Sequence, residues 1–352
     1  MKQSPWRNKI SHHTQIGGIE TSVLDNGPGR GSRIAWVNTG TPLRYKVVID
    51  RGLDIMEAFY GSHSLAWLSH GGTIAPTPCA DRELEWLYTF GGGLVTTCGL
   101  SHIGGPEQDE HGIRGLHGRY SNLPAQIESI LQPDPIGGKL DFSITATVLE
   151  SRVFGPNLRM RRTISGKLGE PKIVFCDEVT NLGNTAVPHM LLYHINFGWP
   201  LVDEGADIVY RGEFKSRGLP MDDATFNTAD VKKCRPPQAS HSAGGEGCGF
   251  INPAADKDGR CKAAIVNRTL NLAAVVEFNK QQLPCLANWQ HWGPGEYVCA
   301  LEPGTNFPIG QKKARQNGTL ISLEPGQTRR YDVAIQLLTE TDSINNFIKY
   351  WG

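Results

Sequence analysis

Leu140-Asp141-Phe142-Ser143-Ile144-Thr145-Ala146-Thr147-Val148 decides the fold class of this chain. Apolar side chains alternate with polar ones along it. A period of two places each kind on its own face of an extended backbone. Runs of the same character recur at Arg33–Val37, Tyr45–Asp50, Lys172–Cys176, Ala273–Phe278 and Arg330–Ile335. Each is short, rich in β-branched residues and bounded by Gly, Asn, Asp or Pro, which is the signature of strands. Only Asp81–Tyr88 and Ser343–Tyr350 suggest helices, both short. Many strands and few helices predict an all-β sandwich or barrel.

The 352 residues would allow two ordinary domains or one large β domain. No shift in composition divides the chain, so one domain over residues 1–352 is expected. Residues 215–262 are the most polar stretch, with Pro236-Pro237 and Gly244-Gly245-Glu246-Gly247. They are expected to form a surface excursion, with a lid or subunit-contact loop as the alternative. The chain is expected to act as a monomer or a homodimer.

Thirty-five basic residues balance 35 acidic ones, which argues against a nucleic-acid partner. The densest basic run, Arg159-Met160-Arg161-Arg162, reads as a solvated strand face. No apolar run reaches membrane-spanning length. The start, Met1 to Arg7, lacks the apolar core of a signal peptide. The eight cysteines follow no paired spacing. Cys98, Cys176, Cys285 and Cys299 lie in apolar surroundings and are expected to be reduced core residues. A cytoplasmic location is the corresponding expectation.

Three distant segments carry groups suited to moving protons. In Gly115-Leu116-His117-Gly118-Arg119 the glycines permit close approach of a ligand. If this segment is extended, His117 and Arg119 share a face, a pairing that suits a polyhydroxylated ligand. A structural histidine in a glycine-rich turn is the alternative. His102, His111 and Arg114 crowd the same region. In Tyr193-His194-Ile195-Asn196-Phe197 the parity puts His194 and Asn196 on one face of an apolar strand. Two polar side chains there need a polar cavity or each other. Glu302 leaves the apolar run Tyr297–Leu301, where burial would raise its pKa toward the range of a general base; a strand-end glutamate in water is the alternative. Arg51, in Asp50-Arg51-Gly52-Leu53-Asp54, is expected to pair with a neighbouring aspartate or to bind substrate. Trp289 and His291, in Asn288-Trp289-Gln290-His291-Trp292, offer the aromatic faces typical of carbohydrate contact, with a half-buried aromatic strand as the equal alternative. Phosphate-loop, nucleophile-elbow and zinc-helix motifs are absent from the sequence. No cofactor is expected, although His102, His117, His194 and Glu302 have the chemistry of divalent-metal ligands.

Together these residues resemble the galactose mutarotase, or aldose 1-epimerase, superfamily, in a sparsely characterised branch. The resemblance rests on Arg51-Gly52-Leu53-Asp54-Ile55, Thr97-Cys98-Gly99-Leu100, Gly115–Arg119, Tyr193–Gly198 and Leu301-Glu302-Pro303. It implies a β-supersandwich with few short helices and an isomerase that interconverts sugar anomers by acid/base ring opening. His117 then matches the substrate-binding histidine, His194 the general acid and Glu302 the general base. Arg119 differs from the superfamily's sugar-binding arginine, which precedes the first histidine; Arg114 or Arg51 would take that role. The superfamily's aspartate between the second histidine and the glutamate has no evident counterpart between Gly205 and Pro284. Two other functions stay open: an epimerase or isomerase of a sugar acid or keto sugar, metal-assisted or not, and a non-catalytic carbohydrate-binding protein.

Overall fold

The computed structural model describes residues 6–227 and 230–352. Met1 to Pro5 of the N-terminal start, and Thr228 and Ala229 of the polar stretch, lie outside the described residues. Sheets of five, eight and seven strands and a two-stranded hairpin make up the architecture. The strand Asp141–Ser151 pairs with Asn157–Lys167 along its whole length. Phe142, Ile144, Ala146 and Val148 point into the core, as their alternation requires. The other alternating runs lie in Arg33–Asn38, Leu43–Val48, Lys172–Asn181, Leu272–Asn279 and Thr328–Leu338.

One contiguous cluster of buried side chains runs from Ile19 to Leu337 and draws on all three large sheets. Full burial of each Val, Leu, Ile or Phe there contributes about 1.5–3 kcal/mol. The helix Thr341–Trp351 closes the outer face of the eight-stranded sheet, packing Ile344, Phe347 and Trp351 on Val209, Ala264 and Val275. The expected helix at 81–88 is shorter and displaced, at Trp86–Thr89. Glu83 takes φ 40°, a left-handed conformation that a helix cannot continue through. Its carbonyl instead accepts the N–H of Leu116.

The basic run 159–162 is not the solvated face expected of it. Arg162 is fully buried between the sheets. Its Nε and Nη2 donate to Asp177, Nη1 to Asp54 Oδ1 at 2.7 Å and Gly52 O, and Nη2 also to Thr97 Oγ1. Tyr193 donates its hydroxyl to Asp177 Oδ2 at 2.6 Å. Two carboxylates facing it repay the desolvation of Arg162, which a solvated-face reading has no means of anticipating. Arg161 is exposed and pairs with Glu128.

The polar stretch 215–262 carries regular elements between its loops. It carries the end of the strand Gly212–Ser216, the helix Pro220–Phe226, the strand Gly247–Pro253 and the start of Arg260–Asn267. Two of these strands lie at one end of the seven-stranded sheet. All eight cysteines are free; Cys98 and Cys299 are buried, whereas Cys176 and Cys285 are only half-buried. No helix among the described residues is long and apolar enough to cross a membrane.

Candidate active site

The strand Val187–Gly198 lies between Thr96–Leu100 and Glu296–Gly304 in the seven-stranded sheet. Alternation turns Tyr193, Ile195 and Phe197 into the core and His194 and Asn196 to the opposite face. Leu192 opposes Gly304 and Ile195 opposes Leu301. The same antiparallel register sets His194 directly across from Glu302. Their side chains meet with His194 Nε2 3.2 Å from Glu302 Oε1.

Asn196 fixes the imidazole. Its Nδ2 donates to Gly93 O and His194 O, which orients the amide and leaves Oδ1 as the acceptor. Oδ1 lies 2.5 Å from His194 Nδ1, so Nδ1 carries the proton and Nε2 faces Glu302 as a lone pair. His194 and Glu302 are 5% and 2% exposed. Burial pushes His194 down to about 4, against the pull of the Asn196 hydrogen bond. Burial pushes Glu302 up to about 8; Glu246 adds to the rise and Arg217 opposes it. At neutral pH the two groups therefore hold one proton between them, seated on Glu302. Glu302 Oε1 has no aligned hydrogen-bond partner among the described residues, and neither does the buried Trp67 Nε1.

Aromatic rings enclose the pair. Around His194 stand Phe90 at 5.3 Å, Trp289 at 5.4 Å, His117 at 5.8 Å and Trp86 at 6.3 Å between centroids. Trp86 stacks on Phe90 at 4.2 Å, and Trp67 meets Trp289 edge-on at 6.0 Å. Contacts of this kind contribute about 0.5–1.5 kcal/mol each beyond their burial.

His117 reaches this box from a turn, not from the extended segment that would align it with Arg119. It takes φ 58° and Gly118 takes φ 69°. A Cβ at Gly118 would come within 2.7 Å of Gly99 O and 2.8 Å of His102 O, so only glycine fits. The Gly104 N–H donates to His117 Nδ1, which leaves Nε2 as the protonated nitrogen. Burial, then the neighbouring His194 and His102, hold this ring neutral by lowering its pKa. Arg119 instead turns to Ser151 O at 2.8 Å.

The other candidate residues divide by what already binds them. Arg51 is buried and donates to Asn122 Oδ1 at 3.0 Å; its expected partners Asp50 and Asp54 are taken by Arg33 and Arg162. Arg114 lies 2.7 Å from both Glu107 and Asp109. His102 is buried behind His117 with Nε2 on Gly105 O. His291 stacks on Trp289 at an interplanar angle of 9°, its Nδ1 on Gly245 O.

Besides the rings of Trp67, Trp86 and Phe90, two charged residues that the sequence did not single out complete the wall. Glu246 Oε2 accepts the Trp289 indole N–H at 2.7 Å, and its Oε1 accepts from Arg217 at 2.6 Å. Arg217 is held from behind by Asp222. The only local signal was a carboxylate framed by glycines, at 244–247. No group of three or more His, Cys, Asp or Glu side chains spaced to hold a metal ion occurs among the described residues.

This architecture is shared with solved structures of the mutarotase type. A candidate aldose 1-epimerase from Klebsiella pneumoniae superimposes with a TM-score of 0.84 at 22% identity, over 94% of this chain and 86% of that one. A candidate mutarotase from Salmonella typhimurium gives 0.59 at 13% identity, over 92% and 94% of the two chains. A galactose mutarotase-like protein from Clostridium acetobutylicum gives 0.57 at 12%, over 93% and 100%. The chain thus has the galactose mutarotase-like β-sandwich fold. No curated protein matches it in sequence. Residues 29–337 match a family described as a domain of unknown function, DUF4432, and the chain belongs to that family.

Proposed function

We propose that this protein is an aldose 1-epimerase-like isomerase that interconverts the anomers of a neutral sugar. The observation that carries this reading is the His194–Glu302 pair: an imidazole and a carboxyl 3.2 Å apart, buried, with one proton between them. Mutarotation needs a base at the anomeric hydroxyl and an acid at the ring oxygen at the same moment. A pair holding one proton supplies one of each in either tautomer. With the proton on His194 Nε2, Glu302 is the base and His194 the acid. The aldehyde forms, the C1–C2 bond rotates, and closure on the other face reverses the transfers. Acid and base catalysis contribute roughly 10²–10⁴-fold per group. The reaction as written moves only protons and calls for no cofactor.

The walls carry groups that suit a sugar. Trp289, His291 and Trp67 offer ring faces for its C–H surfaces. The His117 Nε2–H is a fixed donor, and Glu302 Oε1 and Trp67 Nε1 are polar atoms awaiting partners. The charges favour a neutral sugar over a sugar acid. Arg217 and Arg114 are each neutralised by two carboxylates, Arg119 is turned to Ser151 O, and Arg51 is held by Asn122.

Anomeric exchange followed by NMR saturation transfer, over aldoses, uronic acids and ketoses, tests this function. Enhanced exchange of a neutral aldose, lost in both His194→Ala and Glu302→Gln, is the expected result. A folded wild type that accelerates no sugar overturns it.

A further inference from the structure

The polar stretch that looked like a surface excursion sends a chain of charged groups to the edge of the candidate site. Asp222 is fully buried and caps its own helix, accepting the N–H of Leu219 and of Cys248. It grips Arg217, which grips Glu246, which grips the indole of Trp289. Trp289 stands edge-on to His194. The helix cap, the guanidinium, the carboxylate and the ring thus form one continuous set of contacts 2.6–3.0 Å long up to the indole nitrogen.

We infer that Glu246 is a positioning residue, which fixes the Trp289 ring against His194 and opposes a negative charge on Glu302. The inference rests on the reading of His194 and Glu302 as the reactive pair. Its geometric basis is a carboxylate 2.7 Å from the Trp289 indole nitrogen, in the wall beside His194, where a neutral amide or hydroxyl would also accept the N–H. An indole N–H needs an acceptor, not a charge. The charge has another effect: it is the largest electrostatic influence on Glu302 after burial itself. Apart from Arg217, the other groups around Glu302 carry no charge. His194 faces it from Val187–Gly198 as a neutral ring. The thiols of Cys98, on Thr96–Leu100, and Cys248, on Gly247–Pro253, lie one strand further out on either side and are themselves held protonated by burial. Arg217, the one cation among the described residues that acts on it, is already paired with two carboxylates. The net field from this arm is therefore set by the balance of Glu246 against Arg217. Its consequence is a carboxyl that keeps its proton to higher pH than burial alone would give.

Three variants separate charge from shape. Glu246→Gln keeps an oxygen for the indole and removes the charge. Glu246→Ala removes both. Arg217→Gln removes the opposing charge. The readout is the Glu302 carboxyl titration by ¹³C NMR of side-chain-labelled glutamate, assigned with Glu302→Gln, together with the Trp289 indole ¹⁵N–¹H signal. Glu246→Gln should lower the Glu302 midpoint by about half a pH unit or more, and Arg217→Gln should raise it. The indole signal should move less in Glu246→Gln than in Glu246→Ala. General structural damage would not shift the midpoint in opposite directions. A Glu302 midpoint unmoved in Glu246→Gln, or an indole signal unmoved in Glu246→Ala, overturns the inference. If Arg217→Gln does not fold, the two Glu246 variants still decide. The titration needs no turnover, so a wild type inactive on every sugar defeats the proposed function without touching this result.

Discussion

The two faces of the strand Val187–Gly198 treat their polar groups in opposite ways. On the inner face Tyr193 joins Asp177, Arg162, Asp54 and Thr97 in a network where all five guanidinium N–H groups find acceptors. On the outer face, one residue along, His194 and Glu302 sit in a box that leaves a carboxyl oxygen and an indole N–H unmatched. Both sites are buried, so burial does not tell structure from chemistry. Completeness does. A satisfied network rigidifies the sheet; an unsatisfied one keeps interaction free energy available for a ligand.

The contrast breaks first if the inner network proves dispensable. Arg162→Met strands Asp177 and Asp54 in the core and should cost about 3–5 kcal/mol, measured by urea unfolding. A loss below about 1 kcal/mol would mean that the network does not hold the sheets together.

The outer pair should reveal itself in the pH dependence of stability. Between the unfolded glutamate pKa of 4.5 and the unfolded histidine pKa of 6.5, both states bind one proton, on Glu302 when folded and on the histidine when unfolded. The pair then contributes no slope. From 6.5 to about 8 the folded state alone keeps the proton, so stability falls as pH rises, by about 2 kcal/mol over the window. Unfolding free energies at pH 6.5 and 8 measure this, and Glu302→Gln should remove that component. An equal fall in the variant assigns it to other groups.

Asn196→Ala sharpens the comparison from within the box. It leaves the His194 Nδ1–H and Gly93 O unpaired and should cost about 1–2 kcal/mol, read from the same denaturant curves. It also frees the imidazole tautomer, so anomeric exchange should fall by more than the stability loss would suggest. The smallest effect belongs to Arg119→Ala, expected within about 0.5 kcal/mol and without change in exchange rate, since that side chain reaches only an exposed carbonyl.

Strand alternation is a local property, and it carried far here. It located the strands, and the parity of His194 and Asn196 put them on one face. Glu302 stood out as a carboxylate at the end of an apolar run. What the sequence hid depended on partners distant in the chain. Arg162 looked solvated because Asp54, 108 residues away, is invisible from its own strand. Glu246 looked like loop polarity because Trp289 is 43 residues on. His117 and Arg119 were assigned a common face by a rule for extended chain, and the left-handed turn at 117–118 cancels that rule.

The aromatic enclosure has one more consequence under the proposed reaction. With water held off, the proton lifted from the anomeric oxygen has nowhere to go but the partner side chain. Ring opening moves the pair from one tautomer to the other, and ring closure moves it back. Each catalytic cycle then restores the enzyme without drawing on buffer. Its speed should be indifferent to buffer concentration.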